Sequence, residues 1–439
     1  MSRPARFIVA GYAGAVAVGT ALLLIPGATA PGRRTSVVEA LFTATSAVSV
    51  TGLATVDTGT HWTVFGQVVI MLLMQVGGLG IMTLATLVTV LVSGRLALRG
   101  KILAQAETGA VSLSDVRRLL RGIVLFSLSV EAVAAAVLGT WLATRGYEPL
   151  GRALWHGLFH SVSAFNNGGL ALYSDSFTRF AADPVVCLTA SLAVILGGLG
   201  YPVVFELARS WRRPSTWSVL TRITVFVTVG LLSIGTLAVA LAELDNPATL
   251  GGMRAPQQAL NAFFHSVMTR SGGLNTVPTD QLNPTTLFVS DVLMFIGAGS
   301  AGTGGGIKVT TFGLLAFVMW SEMRGEPSVI VGRRRIPADN QRQALTVALL
   351  SIAVVAVSTL ILLGQSPFGL DRVLFEVISA FGTVGLSTGI TPSLPPAGHV
   401  LLTVLMLIGR VGPLTVASAL ALRVRGRRYD RPEERTIIG

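Results

Sequence analysis

The sequence predicts an all-α membrane protein: eight transmembrane helices in four helix–pore loop–helix repeats with pseudo-fourfold symmetry around a central pore. Three observations carry this expectation. Of 439 residues, 51% are hydrophobic and 12% charged, with a mean hydropathy of +0.69, whereas soluble domains carry about 25% charged residues. Eight apolar runs reach the ~20 residues needed to cross a bilayer. Between alternate pairs of them lie four shorter, more polar segments, and these four align with one another.

The runs fall at roughly 7–27, 64–93, 119–143, 184–207, 219–242, 287–320, 343–364 and 398–421. The first follows Arg3 and Arg6 and precedes Ala28-Thr29-Ala30, which mimics a signal peptide. Its apolar stretch is long for a signal core and reads as a retained helix. The N-terminus, the loops at 95–121, 209–222 and 324–342 and the C-terminal tail hold 23 of the 33 Arg and Lys residues. The other face holds Arg33, Arg34, Arg145, Arg152, Arg179, Arg254 and Arg372. The positive-inside rule then puts both termini and the basic loops in the cytoplasm of a multi-pass protein of the cell (inner or plasma) membrane. Topology thus accounts for the net charge of +12 without nucleic acid. Membrane lipid is an expected partner, and docking or anionic lipid remain open as further uses of the basic loops. The sole cysteine, Cys187, excludes an intrachain disulfide and a cysteine-based metal site.

The four half-crossing segments read EALFTATSAVSVTGL, LWHGLFHSVSAFNNGGL, NAFFHSVMTRSGGL and VLFEVISAFGTVGL. They align on Gly52, Gly169, Gly273 and Gly385, each followed by leucine and each preceded ten residues earlier by Phe42, Phe159, Phe263 or Phe375. Serine stands six before the glycine in three copies (Ser46, Ser163, Ser379), and Val267 replaces it in the third. About 25 residues on come GGLG at 77–80, GGLG at 197–200, GAGS at 297–300 and GRVG at 409–412. The chain divides accordingly into repeats at 1–95, 96–210, 211–325 and 326–439.

Irregular backbone is tolerated at membrane depth only where protein buries it or it lines water. Four such loops around one axis make a ring of carbonyls, the device that replaces the hydration shell of an alkali cation. Glycine permits the positive φ that such a turn requires, and short helices ending before it aim their negative ends at the centre. The candidate cation-binding residues are Val50, Thr51, Gly52, Asn167, Gly168, Gly169, Ser271, Gly272, Gly273, Thr383, Val384 and Gly385. Small-residue helix packing competes as an account of GGLG in spans two and four.

Two features suit a gate. Arg410 lies deep in the eighth span, where a charge costs several kcal/mol and faces a cavity or a partner. Residues 297–306, with Gly299, Gly302, Gly304, Gly305 and Gly306, are too glycine-rich for a helix, at about 1 kcal/mol each relative to alanine. The sixth span is therefore expected to break into a mobile loop beneath the candidate filter. Lys308 either meets that loop or snorkels inward. Arg270, three before Gly273, is expected to brace its loop from behind through carbonyls or a carboxylate, with Glu376 as the candidate partner. Asp57, Asp175, Asp280 and Asp371 lie outside as solvated loop charges that also concentrate cations.

These stretches, with GAGSAGTGGGIKVTTFG and IGRVGPLTV, resemble the Trk/Ktr/HKT superfamily of potassium transporters over about residues 7–423, and most closely its KtrB membrane-subunit branch. A start directly on the first repeat, without the two additional N-terminal helices of many Trk-type members, points to the same branch. The resemblance implies potassium uptake, symporter or channel-like, through a filter with one glycine per repeat. It also implies an intramembrane gating loop near the eighth-span arginine, sodium activation, a homodimer, and a cytoplasmic KtrA-like nucleotide-binding regulatory ring. K⁺ is then substrate, Na⁺ an activator, and no covalent cofactor is expected. Four glycine anchors favour K⁺, since some relatives with serine at a filter glycine carry Na⁺.

Other readings compete. A sodium-conducting relative or a secondary transporter of another solute shares the hydropathy, but inverted repeats conflict with four repeats that all begin inside. A membrane-embedded haem or metal enzyme would rest on His156 and His160, four apart on the second pore helix, with His265 at a related position. They read instead as interfacial pore-helix residues. The stretch Gly302–Thr310 lacks the Gly-Lys-Ser/Thr order of a phosphate loop. No loop is long enough for a catalytic domain, so the chain is not expected to be an enzyme.

Overall fold

The structure, a computed structural model, describes residues 3–80, 83, 113–326, 328–331 and 334–412. Span residues 84–93 and 413–421, most of the 95–121 loop and the basic tail lie outside the described residues. Helix α1 (Arg3–Leu23) leads through a short 3-10 turn to α2 (Val37–Ser49), the single-turn α3 (Thr58–His61) and α4 (Val64–Gly80). Then come α5 (Leu113–Thr144), α6 (Leu150–Phe165), α7 (Pro184–Leu199) and α8 (Tyr201–Ser210). The third quarter holds α9 (Val219–Glu243), α10 (Ala255–Met268), α11 (Pro284–Phe295) and α12 (Val309–Met323). The last holds α13 (Ala338–Leu363), α14 (Leu370–Gly382) and α15 (Pro396–Val411). In the 324–342 loop, β1 (Ile330–Val331) pairs antiparallel with β2 (Arg334–Arg335), a small departure from the all-α expectation.

Local chemistry sets the helix starts. A capping box opens α2: Ser36 Oγ accepts from Glu39 N at 3.2 Å while Glu39 Oε2 accepts from Ser36 N at 2.7 Å. Asp183 Oδ1 accepts from Val185 N at 3.0 Å, and Pro184 takes the first helical position of α7, where no N–H is missed.

Among the described residues, α5 from Arg117, α9 and α13 are long and apolar enough to cross a membrane, and α7 with α8 makes a fourth if that bent pair is one span. These match the runs at 119–143, 219–242 and 343–364 closely. The other expected spans appear as shorter apolar helices within α1, α4, α11, α12 and α15. The run at 184–207 is corrected: it turns by 101° between α7 and α8. Gly200 makes that turn at φ +83°, and a Cβ there would lie 2.4 Å from the Ala301 backbone. The helix therefore stops where the broken sixth span crosses it.

The half-crossing helices α2, α6, α10 and α14 form the interior, with their C-terminal halves buried apart from exposed Leu158 and half-buried Phe263. Helix α2 packs on α1 and α15, α6 on α5 and α7, α10 on α9 and α7, and α14 on α11, α13 and α15. The contact of α2 with α15 brings the beginning and end of the described chain together.

Candidate functional site

One backbone turn recurs at the end of each inner helix. Val50 (φ 54°), Asn167 (61°), Ser271 (77°) and Thr383 (48°) are left-handed, each two residues before Gly52 (99°), Gly169 (66°), Gly273 (70°) and Gly385 (95°). A non-glycine residue in that region costs about 1–2 kcal/mol, so the turn needs local bonds to hold it. The recurrent serines supply them. Ser46 Oγ accepts from Gly52 N at 3.0 Å and Ser379 Oγ from Gly385 N at 3.1 Å. In the second copy Ser163 Oγ donates to Leu170 O at 2.8 Å, while Ser163 O accepts from Gly168 N.

In the third copy, where Val267 replaces serine, Met268 O accepts from both Gly272 N (2.8 Å) and Gly273 N (3.2 Å). This tighter turn shifts the helix register. Phe264 is fully buried there and Phe263 only partly, whereas Phe42, Phe159 and Phe375 are all fully buried. In the third copy Phe264, next to the aligned Phe263, therefore takes the fully buried place.

The four glycines meet. A Cβ on Gly52 would lie 2.8 Å from Gly169 Cα, one on Gly169 3.1 Å from Gly273 Cα, one on Gly273 3.3 Å from Gly385 Cα, and one on Gly385 2.9 Å from Gly52 Cα. The circuit closes. Backbone oxygens crowd it: Thr51 O would be 2.1 Å from a Cβ on Gly385, and Val384 O 2.4 Å from one on Gly273. Any side chain at these positions would drive into the neighbouring loop.

The following small-residue clusters receive the ends of the inner helices. A Cβ on Gly77 would fall 2.0 Å from Val48 O, on Gly197 1.9 Å from Phe165 O, and on Gly409 1.8 Å from Phe381 O. Close packing is thus the work of GGLG, as the competing account held. The third cluster differs, because a Cβ on Gly297 would fall 1.9 Å from Gly305 O within the broken span.

Residues 296–308 run between α11 and α12 and dock against three of the four turns. Gly299 N donates to Gly198 O at 2.9 Å and Thr303 N to Gly197 O at 3.0 Å. Thr303 Oγ1 donates to Phe165 O at 3.2 Å, and Gly305 N to Ser271 Oγ at 3.3 Å. Ser271 Oγ shares its proton between Gly382 O and Thr383 O, each at 3.1 Å. The glycines permit close approach as much as they break the helix: a Cβ on Gly302 would meet Gly198 O at 2.1 Å, on Gly304 Ala298 Cβ at 2.6 Å, and on Gly305 Thr383 Oγ1 at 2.2 Å. Gly306 adds a positive φ of 69°.

Two buried cations, Arg410 and Arg270, and half-buried Lys308 rest on main-chain oxygens. Arg410, 1% exposed, donates from one guanidinium nitrogen to Thr303 O in the loop and from the other to Gly77 O on α4 at 2.7 Å. Lys308 Nζ donates to Gly304 O at 2.6 Å, which places it against the loop. Arg270 reaches Thr228 O on α9 at 3.2 Å and Gly297 O at 3.1 Å.

Glu376 is not the partner of Arg270, and that expectation is corrected. Its buried carboxylate accepts from Ser387 Oγ, from Thr388 N at 3.0 Å and from Thr391 Oγ1 at 2.9 Å, which ties down the strand after Gly385. His160 accepts from Leu172 N at Nε2 (3.0 Å), so Nδ1 carries the proton and donates to His156 O at 2.8 Å. Neither ring nitrogen is free for a metal.

Sequence reasoning missed Glu131 on α5. Its buried carboxylate accepts from Gln75 Nε2 (3.0 and 3.1 Å) and from Asn166 Nδ2 (3.0 Å), at the end of α6. A lone carboxylate inside an apolar span is the signal that would have found it.

Apolar helices packed around four converging loops, with buried cations seated on carbonyls, define a membrane transport protein. The chain belongs to the TrkH family of cation transport proteins, whose profile matches residues 8–425. It is 39% identical over 436 residues to a Ktr system potassium uptake protein B of Vibrio alginolyticus, covering 99% of this chain and 94% of the relative. A protein of the same description from Bacillus subtilis is 38% identical over 421 residues, covering 95% and 93%. The potassium/sodium uptake protein NtpJ of Enterococcus hirae is 33% identical over 443 residues, covering 99% and 97%. The crystal structure of the potassium transporter TrkH from Vibrio parahaemolyticus shares the fold, with a TM-score of 0.75 at 19% identity, covering 96% of this chain and 85% of that one.

Proposed function

We propose that the chain takes up potassium through the ring at Gly52, Gly169, Gly273 and Gly385. Carbonyls of residues 50–52, 167–169, 271–273 and 383–385 replace the hydration shell of K⁺, and the four repeats stand around that axis with pseudo-fourfold symmetry. The single observation that carries this reading is the closed circuit of glycine approaches, in which each anchor lies against the next. Its support in sequence is the near-full-length likeness to two potassium uptake proteins.

Beneath the ring, residues 296–308 and Arg410 form the closed gate. A positive charge held there repels an arriving cation, and the loop's bonds to the filter turns hold it in place. Both termini and the basic loops lie in the cytoplasm. The chain works as a homodimer on a KtrA-like nucleotide-binding ring, and Na⁺ activates it; likeness to Ktr-system membrane components supports this assembly.

The test is Rb⁺ and K⁺ uptake by a potassium-import-deficient cell expressing the chain with a KtrA-like partner, with Na⁺ uptake measured in parallel because one relative is named for both ions. Growth on low potassium and saturable Rb⁺ entry are expected. A folded, partnered protein that moves neither K⁺ nor Rb⁺ would refute the reading.

A further inference from the structure

We propose that the turn between α8 and α9 is a binding site for the phosphate headgroup of an anionic phospholipid in the leaflet at which α9 begins. Helix α9 has 25 residues, about 37 Å at 1.5 Å per residue, against a hydrocarbon core of about 30 Å. Its first turn therefore projects to headgroup level. Glu206 of α8 ties the two helices there: its carboxylate accepts from Ser218 N at 2.6 Å, Ser218 Oγ at 2.7 Å and Thr221 Oγ1 at 2.5 Å. The 101° turn from α7 carries α8 away from the axis of that helix towards the start of α9.

This region presents what a headgroup requires. A recess of ≈ 460 Å³ is bordered by Arg209, Arg212 and Arg213 together with Glu206 and Trp211. Its one carboxylate is already spent on α9, and among the described residues none of the three arginines has an ion-pair partner. Arginine offers a planar fork of donors that matches phosphate. Arg222 braces the turn by donating to Pro214 O at 3.2 Å.

The apolar component selects a lipid over a soluble anion. Phe205 is 58% and Trp211 64% exposed, and the Arg212 guanidinium lies 4.9 Å from the Trp211 ring centroid. Aromatic residues beside arginine at the end of a span suit the boundary between headgroups and acyl chains.

The full-length protein is purified in detergent and titrated, by native mass spectrometry, with phosphatidylglycerol and with phosphatidylcholine. A variant carrying R209Q, R212Q and R213Q is compared with wild type. A basic residue near an anionic surface contributes about fivefold in affinity, so phosphatidylglycerol binding should weaken by about a hundredfold while phosphatidylcholine binding stays unchanged. Replacing the three by lysine preserves charge and should recover part of the affinity. W211A, at an exposed position, provides a variant whose folding is not in question and should weaken binding several-fold. Equal phosphatidylglycerol affinity in wild type and the glutamine and W211A variants would overturn the proposal. So would displacement of the lipid from wild type by millimolar inorganic phosphate, which would make the recess a site for a soluble anion.

Discussion

Replacing Arg410 by alanine tests the proposed gate directly. The guanidinium makes two charge-assisted hydrogen bonds, to Thr303 O in the loop and to Gly77 O on α4. Each such bond contributes about 1.5–3 kcal/mol, and only the one to Thr303 O joins the arginine to the loop, so the closed arrangement loses about 1.5–3 kcal/mol. Converted at 1.36 kcal/mol per tenfold, the closed-to-open ratio falls by about ten- to two-hundredfold. Flux should rise until the open fraction saturates, since no further shift is visible beyond that point. Removing the charge from beneath the ring acts in the same direction. Arg410→Lys retains a charge but can reach only one of the two carbonyls well, and should fall between the two. The assay is initial Rb⁺ uptake into proteoliposomes at matched protein content, with monodispersity checked for each variant. Folded Arg410→Ala protein with wild-type or lower flux would refute a gating role and leave the arginine as a tie between α15, α4 and the loop.

Further outcomes follow from the same geometry. Gly385→Ala places a Cβ 2.1 Å from Thr51 O at φ +95° and should lower Rb⁺ uptake at least about tenfold, whereas Gly389→Ala, also at positive φ but with no atom within 4 Å, should leave uptake near wild type; equal effects would mean backbone strain alone is being read. Ser271→Ala removes the acceptor of Gly305 N and the donor to Gly382 O and Thr383 O, so flux should rise about two- to twelvefold for one lost neutral bond and the preference for K⁺ over Na⁺ should fall in the same variant. A change in flux with unchanged preference would separate loop from filter. Burial holds the His61 imidazole below its ordinary 6.5, so the unfolded chain accepts a proton that the folded turn resists. Its contribution to stability is complete above pH 6.5 and declines as pH falls below that value. Thermal unfolding of His61→Gln should show a shallower loss between pH 6.5 and about pH 5; an unchanged slope would remove His61 as the cause.

The recurrent motif was legible because identical backbone demands leave identical residues. A positive φ asks for glycine, and the N–H of that glycine asks for an acceptor, which Ser46 and Ser379 provide. The long spans were legible from hydropathy alone. What escaped were features set by tertiary contact. The 101° turn after α7 depends on the loop at Ala301 lying across its path, 100 residues away in sequence. In the third copy Phe264, next to the aligned Phe263, takes the fully buried place because Met268 O took over the work of the absent serine. Glu376 was assigned to Arg270 by charge complementarity, yet three local donors after the filter turn satisfy it and two distant carbonyls satisfy the arginine. Inside a membrane bundle, main-chain groups compete with opposite charges as partners, and spacing in sequence does not show which prevails.

The hydrogen bonds also bear on whether the proposed filter and the proposed gate would act separately. Thr303 joins the loop to Phe165 O, at the end of the second inner helix, and Ser271 joins it to the third and fourth turns. Arg410 holds Thr303 from the side of α15. Displacing residues 299–305 would therefore remove the donor to Phe165 O, just before left-handed Asn167, and the donor to Ser271 Oγ, whose own turn is left-handed and whose hydroxyl holds the fourth turn. Such turns keep their shape only while their surroundings over-determine it. If the proposed filter and gate are right, an open loop would leave a looser ring above it, and the grip on a bare cation would weaken as the path beneath it clears. Tight binding and rapid release, which conduction needs in turn, then come from one set of bonds rather than from two independent devices.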